Sequence, residues 1–150
     1  MQVKDFLHYE LIGLMSGTSL DGVDICHVDF FYKNNKWSYK THNARTQVYP
    51  AHLLKQLKNT VNLSGLELFS LDQKLGVFFG ECINNFIADF SIQKNAITAI
   101  ASHGHTVFHQ PDKGLTVQIG CGESIAYTTG INTIKLYSFI ADGLFGNLPD

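Results

Sequence analysis

The chain has 150 residues, 45% of them apolar and 16% charged, with a net charge of −2. That is enough apolar material for one globular domain with a real core, and it argues against a disordered chain. The near-neutral charge speaks against a nucleic-acid partner or an anionic membrane surface, and the longest apolar runs fall far short of a membrane span.

Residues Met1 to Phe6 lack a basic segment followed by an apolar core and a small-residue cleavage site, so they do not read as a secretory signal. Cys26, Cys82 and Cys121 are odd in number, widely separated and in no metal-ligand spacing. They read as reduced, mostly buried thiols of a cytoplasmic protein, and no metal site is expected from them.

After a short lead-in over residues 1–7, the pattern predicts strands at about Tyr9 to Ser16, Gly22 to Tyr32 and Trp37 to Val48. Short polar turns join them, which makes an antiparallel meander the simplest arrangement. Pro50 marks a change of period. Leu53, Leu54, Leu57 and Val61 predict a helix from about Pro50 to Val61. Ser64-Gly65-Leu66-Glu67 matches a capping box, and Leu68, Leu71, Leu75, Phe78, Cys82 and Phe86 continue as the apolar face of a stronger helix. Ile97 to Ser102 reads as a buried parallel strand, Leu115 to Gly120 as a further strand, Glu123 to Thr129 as a short helix capped by Gly130, and Ile131 to Ile134 as a last strand. The chain is α/β, with a mixed five-stranded sheet and flanking helices expected.

Between the first two strands lies Gly17-Thr18-Ser19-Leu20-Asp21-Gly22, followed by Val23 and Asp24. Gly17 and Gly22 allow positive φ and close approach to a ligand, and successive N–H groups of such a turn can form a nest for an anion. Thr18 and Ser19 add hydroxyls, while Asp21 and Asp24 can hold Mg²⁺ through water or orient the loop. The same composition also suits an ordinary hairpin turn. It is not the Gly-Lys-Ser/Thr pattern of a P-loop.

The second polar segment is His103-Gly104-His105-Thr106-Val107-Phe108-His109-Gln110-Pro111. On a regular strand His103 and His105 face the same way. Three histidines admit a metal reading, but no carboxylate or cysteine stands at ligand spacing. A polar loop at the carboxyl end of a buried strand is the competing reading, and α/β proteins place their ligands there. A general-base role for a histidine is a third.

The ten residues Met15 to Asp24 closely resemble the signature of the anhydro-N-acetylmuramic acid kinases, members of the sugar-kinase/Hsp70/actin superfamily. The His-Gly-His-Thr-Val-Phe-His segment, Thr116 to Gly120 and Thr129-Gly130-Ile131 resemble further motifs of the same family, so the similarity spans about Leu11 to Ile134. The resemblance implies an actin-like ATPase (ribonuclease H-like) half-fold. It implies ATP binding at Gly17, Thr18, Ser19, Leu20, Asp21, Gly22, Val23 and Asp24, with Mg²⁺ as cofactor. On the sugar side it implies places for His103, Gly104, Thr106 and Asp142. The implied partners are ATP and a small sugar, and a homodimer is left open.

The family reaction implied is opening of the 1,6-anhydro ring by an activated water, with transfer of the γ-phosphoryl group to O6. The product is N-acetylmuramic acid 6-phosphate, in cell-wall recycling. The family's general base and second phosphate loop have no counterpart in these residues, so no catalytic residue is assigned. From Lys135 onward the chain departs from the family, whose Asp-Phe-Arg triplet is absent; Asp142 stands for a later family Asp. Residues 1–150 are therefore expected to form the N-terminal lobe of a two-lobe kinase, with a degraded or truncated tail from about 135. Such a lobe is expected to be inactive alone. Two alternatives stay open: an inactive remnant with at most weak nucleotide binding, and another sugar or acetate kinase of the superfamily.

Overall fold

The computed structural model describes residues 6–136. Strands β1 (Phe6–Ser16), β2 (Val23–Lys33) and β3 (Lys36–Gln47) open it. They form the antiparallel meander that the alternation predicts, with Ser16 opposite Val23 and Lys33 opposite Lys36. The β2–β3 turn has two residues, Asn34 and Asn35, at φ of 52° and 60°. A two-residue turn matching the strand twist needs positive φ at both places, and asparagine tolerates it.

Helix α1 (Ala51–Leu57) is shorter than expected, and the chain tightens into a 3₁₀ turn at Thr60–Asn62. Asn59, Thr60 and Val61 are weak helix formers, and the Thr60 hydroxyl donates to the Leu57 carbonyl at 3.1 Å, in competition with the helical pattern. Helix α2 (Gly65–Asp89) starts at the capping box read from the sequence. The Ser64 hydroxyl accepts from the Glu67 N–H at 3.3 Å, and the Glu67 carboxylate accepts from the Ser64 N–H at 2.8 Å.

Strands β4 (Ala99–Gln110) and β5 (Leu115–Ile119), helix α3 (Gly122–Thr129) and strand β6 (Thr133–Lys135) complete the described fold. Gly130, at φ 66°, ends α3 as a left-handed cap. The sheet order is β3-β2-β1-β4-β5, with β6 also on β4. β4 runs parallel to β1 and β6 and antiparallel to β5. The sheet therefore has six strands rather than five. β4 has twelve residues, so its outer edge holds β6 along Ile100–Ser102 and β5 along His105–Gln110. The histidine segment is thus strand as far as Gln110, with β5 paired to it from His105 on, and not a loop after a short strand.

The core lies between one face of the sheet and the helices. Ile12, Leu14, Val23, Ile25, Ile100 and Ile119 share one cluster with Leu71, Leu75, Phe79, Ile83 and Phe86 of α2. Those α2 positions repeat at four- and three-residue steps, the period at which a helix returns to the same side. Burying Leu, Ile and Phe side chains is worth about 1.5–3 kcal/mol each. On the opposite sheet face Met15 and Tyr39 are exposed.

Candidate functional site

β1 and β4 are parallel neighbours, with Leu14 beside Ser102 and Ser16 beside His105. Their carboxyl ends therefore lie at one end of the sheet. The 17–22 loop follows directly from β1, and the histidine segment is that part of β4. The tertiary structure thus brings together two motifs that stand about eighty residues apart in the sequence. One cavity, of about 590 Å³, lies elsewhere: Ile97, Thr98 and Asn132 line it, where β4 and β6 begin.

Within the loop the Leu20 N–H donates to the Gly17 carbonyl at 3.3 Å. The positive φ falls on Leu20, at 59°, and not on Gly17 or Gly22 as their composition suggested. Leu20 packs against the core cluster, and that anchoring holds it in a conformation unusual for a leucine. Gly22 serves close approach instead. A Cβ there would lie 2.7 Å from Thr46 Cγ2 and 2.8 Å from the Gln47 carbonyl oxygen on β3.

Thr18, Ser19, Asp21 and Asp24 are exposed. The Ser19 hydroxyl donates to Asp21 at 2.7 Å, and the Thr46 hydroxyl donates to Asp24 at 2.6 Å. The Ser19 bond, helped by the backbone N–H groups of Asp21 and Gly22, holds the Asp21 carboxyl below its ordinary range. Asp21 is therefore ionised at neutral pH. The loop presents hydroxyls, backbone and two oriented carboxylates, a donor set that suits a polyphosphate with a hydrated Mg²⁺.

On β4 the paired registers Leu14–Ser102 and Ser16–His105 set two residues of β1 against three of β4. Gly104, at φ 73°, sits in that bulge, and a Cβ on it would lie 2.5 Å from the Ile119 carbonyl oxygen. The extra residue changes the alternation. His103 faces away from the core, and the Gln118 side-chain amide donates to its ring at 2.9 Å. Thr106 lies opposite Gln118 on the same face. His105 turns inward, 4% exposed, with Nδ1 3.0 Å from Ser16 Oγ. The expectation that His103 and His105 face one way is corrected by this bulge. No group of three metal-ligating side chains that could hold an ion occurs among the described residues.

Ser16 also accepts a hydrogen bond from the Tyr49 hydroxyl. Burial pushes the Tyr49 phenol up to about 12 and pushes the His105 imidazole below its ordinary value, although contacts with the Ser16 and Gly17 backbone oppose the latter. Ser16, Tyr49 and Gln118 were not singled out from the sequence. One signal for Ser16 was present: it continues the inward series Ile12, Leu14, where an apolar residue is expected. Asp142 lies outside the described residues.

The family model for anhydro-N-acetylmuramic acid kinase matches residues 9–138. The chain belongs to that family. Curated relatives of that name agree with the assignment. The protein of Shewanella sediminis is 42% identical over 132 residues, that of Shewanella amazonensis 44% over 128, and that of Shewanella oneidensis 44% over 129. In each case the match covers 82% of this chain and 34% of the relative, so the chain spans about a third of the length of the curated relatives it matches. The family is one of kinases within the actin-like ATPase superfamily, and the described meander, parallel crossover and helices are the α/β half-fold of that superfamily. No described helix is long and apolar enough to cross a membrane.

Proposed function

We propose that this chain is the N-terminal lobe of an anhydro-N-acetylmuramic acid kinase, cytoplasmic and acting in cell-wall recycling. In this reading Gly17 to Asp24 hold the phosphates of ATP, and His103, Gly104 and Thr106 belong to the sugar side, where Gln118 joins them. Residues from about 135 onward mark the departing tail of that lobe, with Asp142 on the sugar side by the family resemblance. The observation that carries the reading is the parallel β1–β4 pairing, which sets both motifs at one end of the sheet. The matches to named kinases point the same way and do not favour the alternative of an inactive remnant.

ATP–Mg²⁺ supplies the phosphoryl group and its charge neutralisation. The chain's own residues position it. Asp21, ionised and tied to Ser19, and Asp24, tied to Thr46, fix where a hydrated cation can sit. The Leu20 turn aims the loop backbone at the phosphates. His103 and Thr106 can hydrogen-bond sugar hydroxyls or a sugar carboxylate.

The test is titration of the 150-residue chain with Mg²⁺–ATP, followed by ¹H–¹⁵N shifts, and then with the anhydro sugar. Shifts concentrated at residues 17–24 with nucleotide, and at 103, 106 and 118 with sugar, are expected. Asp21→Asn is expected to weaken the nucleotide response at least threefold. Nucleotide shifts centred instead on Ile97, Thr98 and Asn132 would refute the assignment.

A further inference from the structure

We propose that Ser16, His105 and Tyr49 form a buried positioning unit that sets the geometry of the 17–22 loop, with His105 as the residue that specifies it. The proposal rests on the reading of that loop as a phosphate site only for its consequence, not for its structure.

Each member comes from a different element. Ser16 ends β1 and is the last residue before the loop. His105 lies on β4 just past the Gly104 bulge, and Tyr49 sits in the link between β3 and α1. The three are 2%, 4% and 8% exposed. The Tyr49 hydroxyl donates into Ser16 Oγ, and Ser16 Oγ lies 3.0 Å from His105 Nδ1. With Tyr49 donating, the hydroxyl hydrogen of Ser16 is directed to Nδ1, which places the imidazole proton on Nε2. That assignment needs a neutral ring, and burial favours one.

Polar groups in a core are costly unless bonded, and an apolar trio fills the same space without directional demands. Hydrogen bonds add direction here. Ser16 is held from both neighbouring elements, so the backbone enters Gly17 at one fixed angle. The Gly17–Leu20 turn, with Leu20 at φ 59°, starts from that angle. The bulge has the same consequence. If residues 102–105 kept a regular strand alternation in place of the bulge at Gly104, the side chain at 105 would point to the opposite face and could not reach Ser16.

The experiment uses the 150-residue chain and three variants, His105→Leu, His105→Gln and Tyr49→Phe. Amide exchange at Leu20, whose N–H bonds to Gly17, reports the loop; amides of α2 report the fold; Mg²⁺–ATP affinity reports the consequence. His105→Leu is expected to speed Leu20 exchange at least tenfold and weaken nucleotide binding similarly. His105→Gln, which keeps an acceptor for Ser16, is expected to return both to within about threefold of the parent. Tyr49→Phe is expected to fall between. The α2 amides stay at parent rates throughout. Parent-like Leu20 exchange in His105→Leu overturns the proposal. So does a His105→Gln variant as loose as His105→Leu with α2 intact. If His105→Leu does not fold, the Gln and Phe variants decide by the same Leu20 readout. A parent chain that binds no nucleotide removes the phosphate reading but leaves the exchange result to decide the positioning role.

Discussion

Gly22→Ala tests the packing at the foot of the loop. The new methyl would meet the Gln47 carbonyl oxygen at 2.8 Å and Thr46 Cγ2 at 2.7 Å, well inside the 3.4 Å at which ordinary contact begins. Neither neighbour yields easily. Gln47 O is backbone of a paired strand, and Thr46 is tied to Asp24 at 2.6 Å. Overpacking of this kind costs about 1–3 kcal/mol. With a urea slope of about 2 kcal/mol/M for a small domain, a loss of ~2 kcal/mol lowers the unfolding midpoint by roughly 1 M. Gly65→Ala is the internal control. A Cβ there meets nothing within 4 Å, and the residue opens α2. Alanine at a helical position stabilises by up to about 1 kcal/mol relative to glycine, so this midpoint should rise. Equilibrium urea unfolding followed by far-UV circular dichroism measures both. Equal midpoints for Gly22→Ala and the parent, with unshifted Thr46 and Gln47 amides, would show that β3 does not press on the loop and refute the reasoning.

Three further outcomes are expected. Ser64→Ala removes the reciprocal bonds of the capping box and should lower stability by about 1 kcal/mol in the same urea assay. Phe79→Ala leaves a cavity where a fully buried ring faces the sheet and should cost about 3–5 kcal/mol; a loss under 1 kcal/mol would contradict the core described. Stability should also fall on acidification. His105 has a lowered value in the folded chain, so the unfolded chain binds the extra proton first, and stability present above the ordinary 6.5 is lost as pH drops below it. Melting temperatures of parent and His105→Gln between pH 7.5 and 5.0 should diverge below about 6.5, with the variant less sensitive.

Much of the fold was legible in the residues because it is governed by local periodicity. The alternation of β1 and β2, the stripe from Leu71 to Phe86 and the Ser64–Glu67 capping box each depend on neighbours within one turn or one strand. The family was legible for a different reason: Met15 to Asp24 is a contiguous string, so its resemblance needs no tertiary information. The extent of α1 was less so, since Thr60 turns back on Leu57 where a stripe of leucines suggested continuation.

What the residues alone left undecided is the way the chain is brought to the site. A single residue inserted at Gly104 sends His103 outward to Gln118 and His105 inward to Ser16, and strand period cannot register an insertion of one. The positive φ of the loop falls on Leu20 because the core holds its side chain, while Gly22 is required by the neighbouring strand. Tyr49 reaches Ser16 across thirty-three positions of sequence. These features depend on contacts between distant segments, and such contacts exist only once β1 lies between β2 and β4.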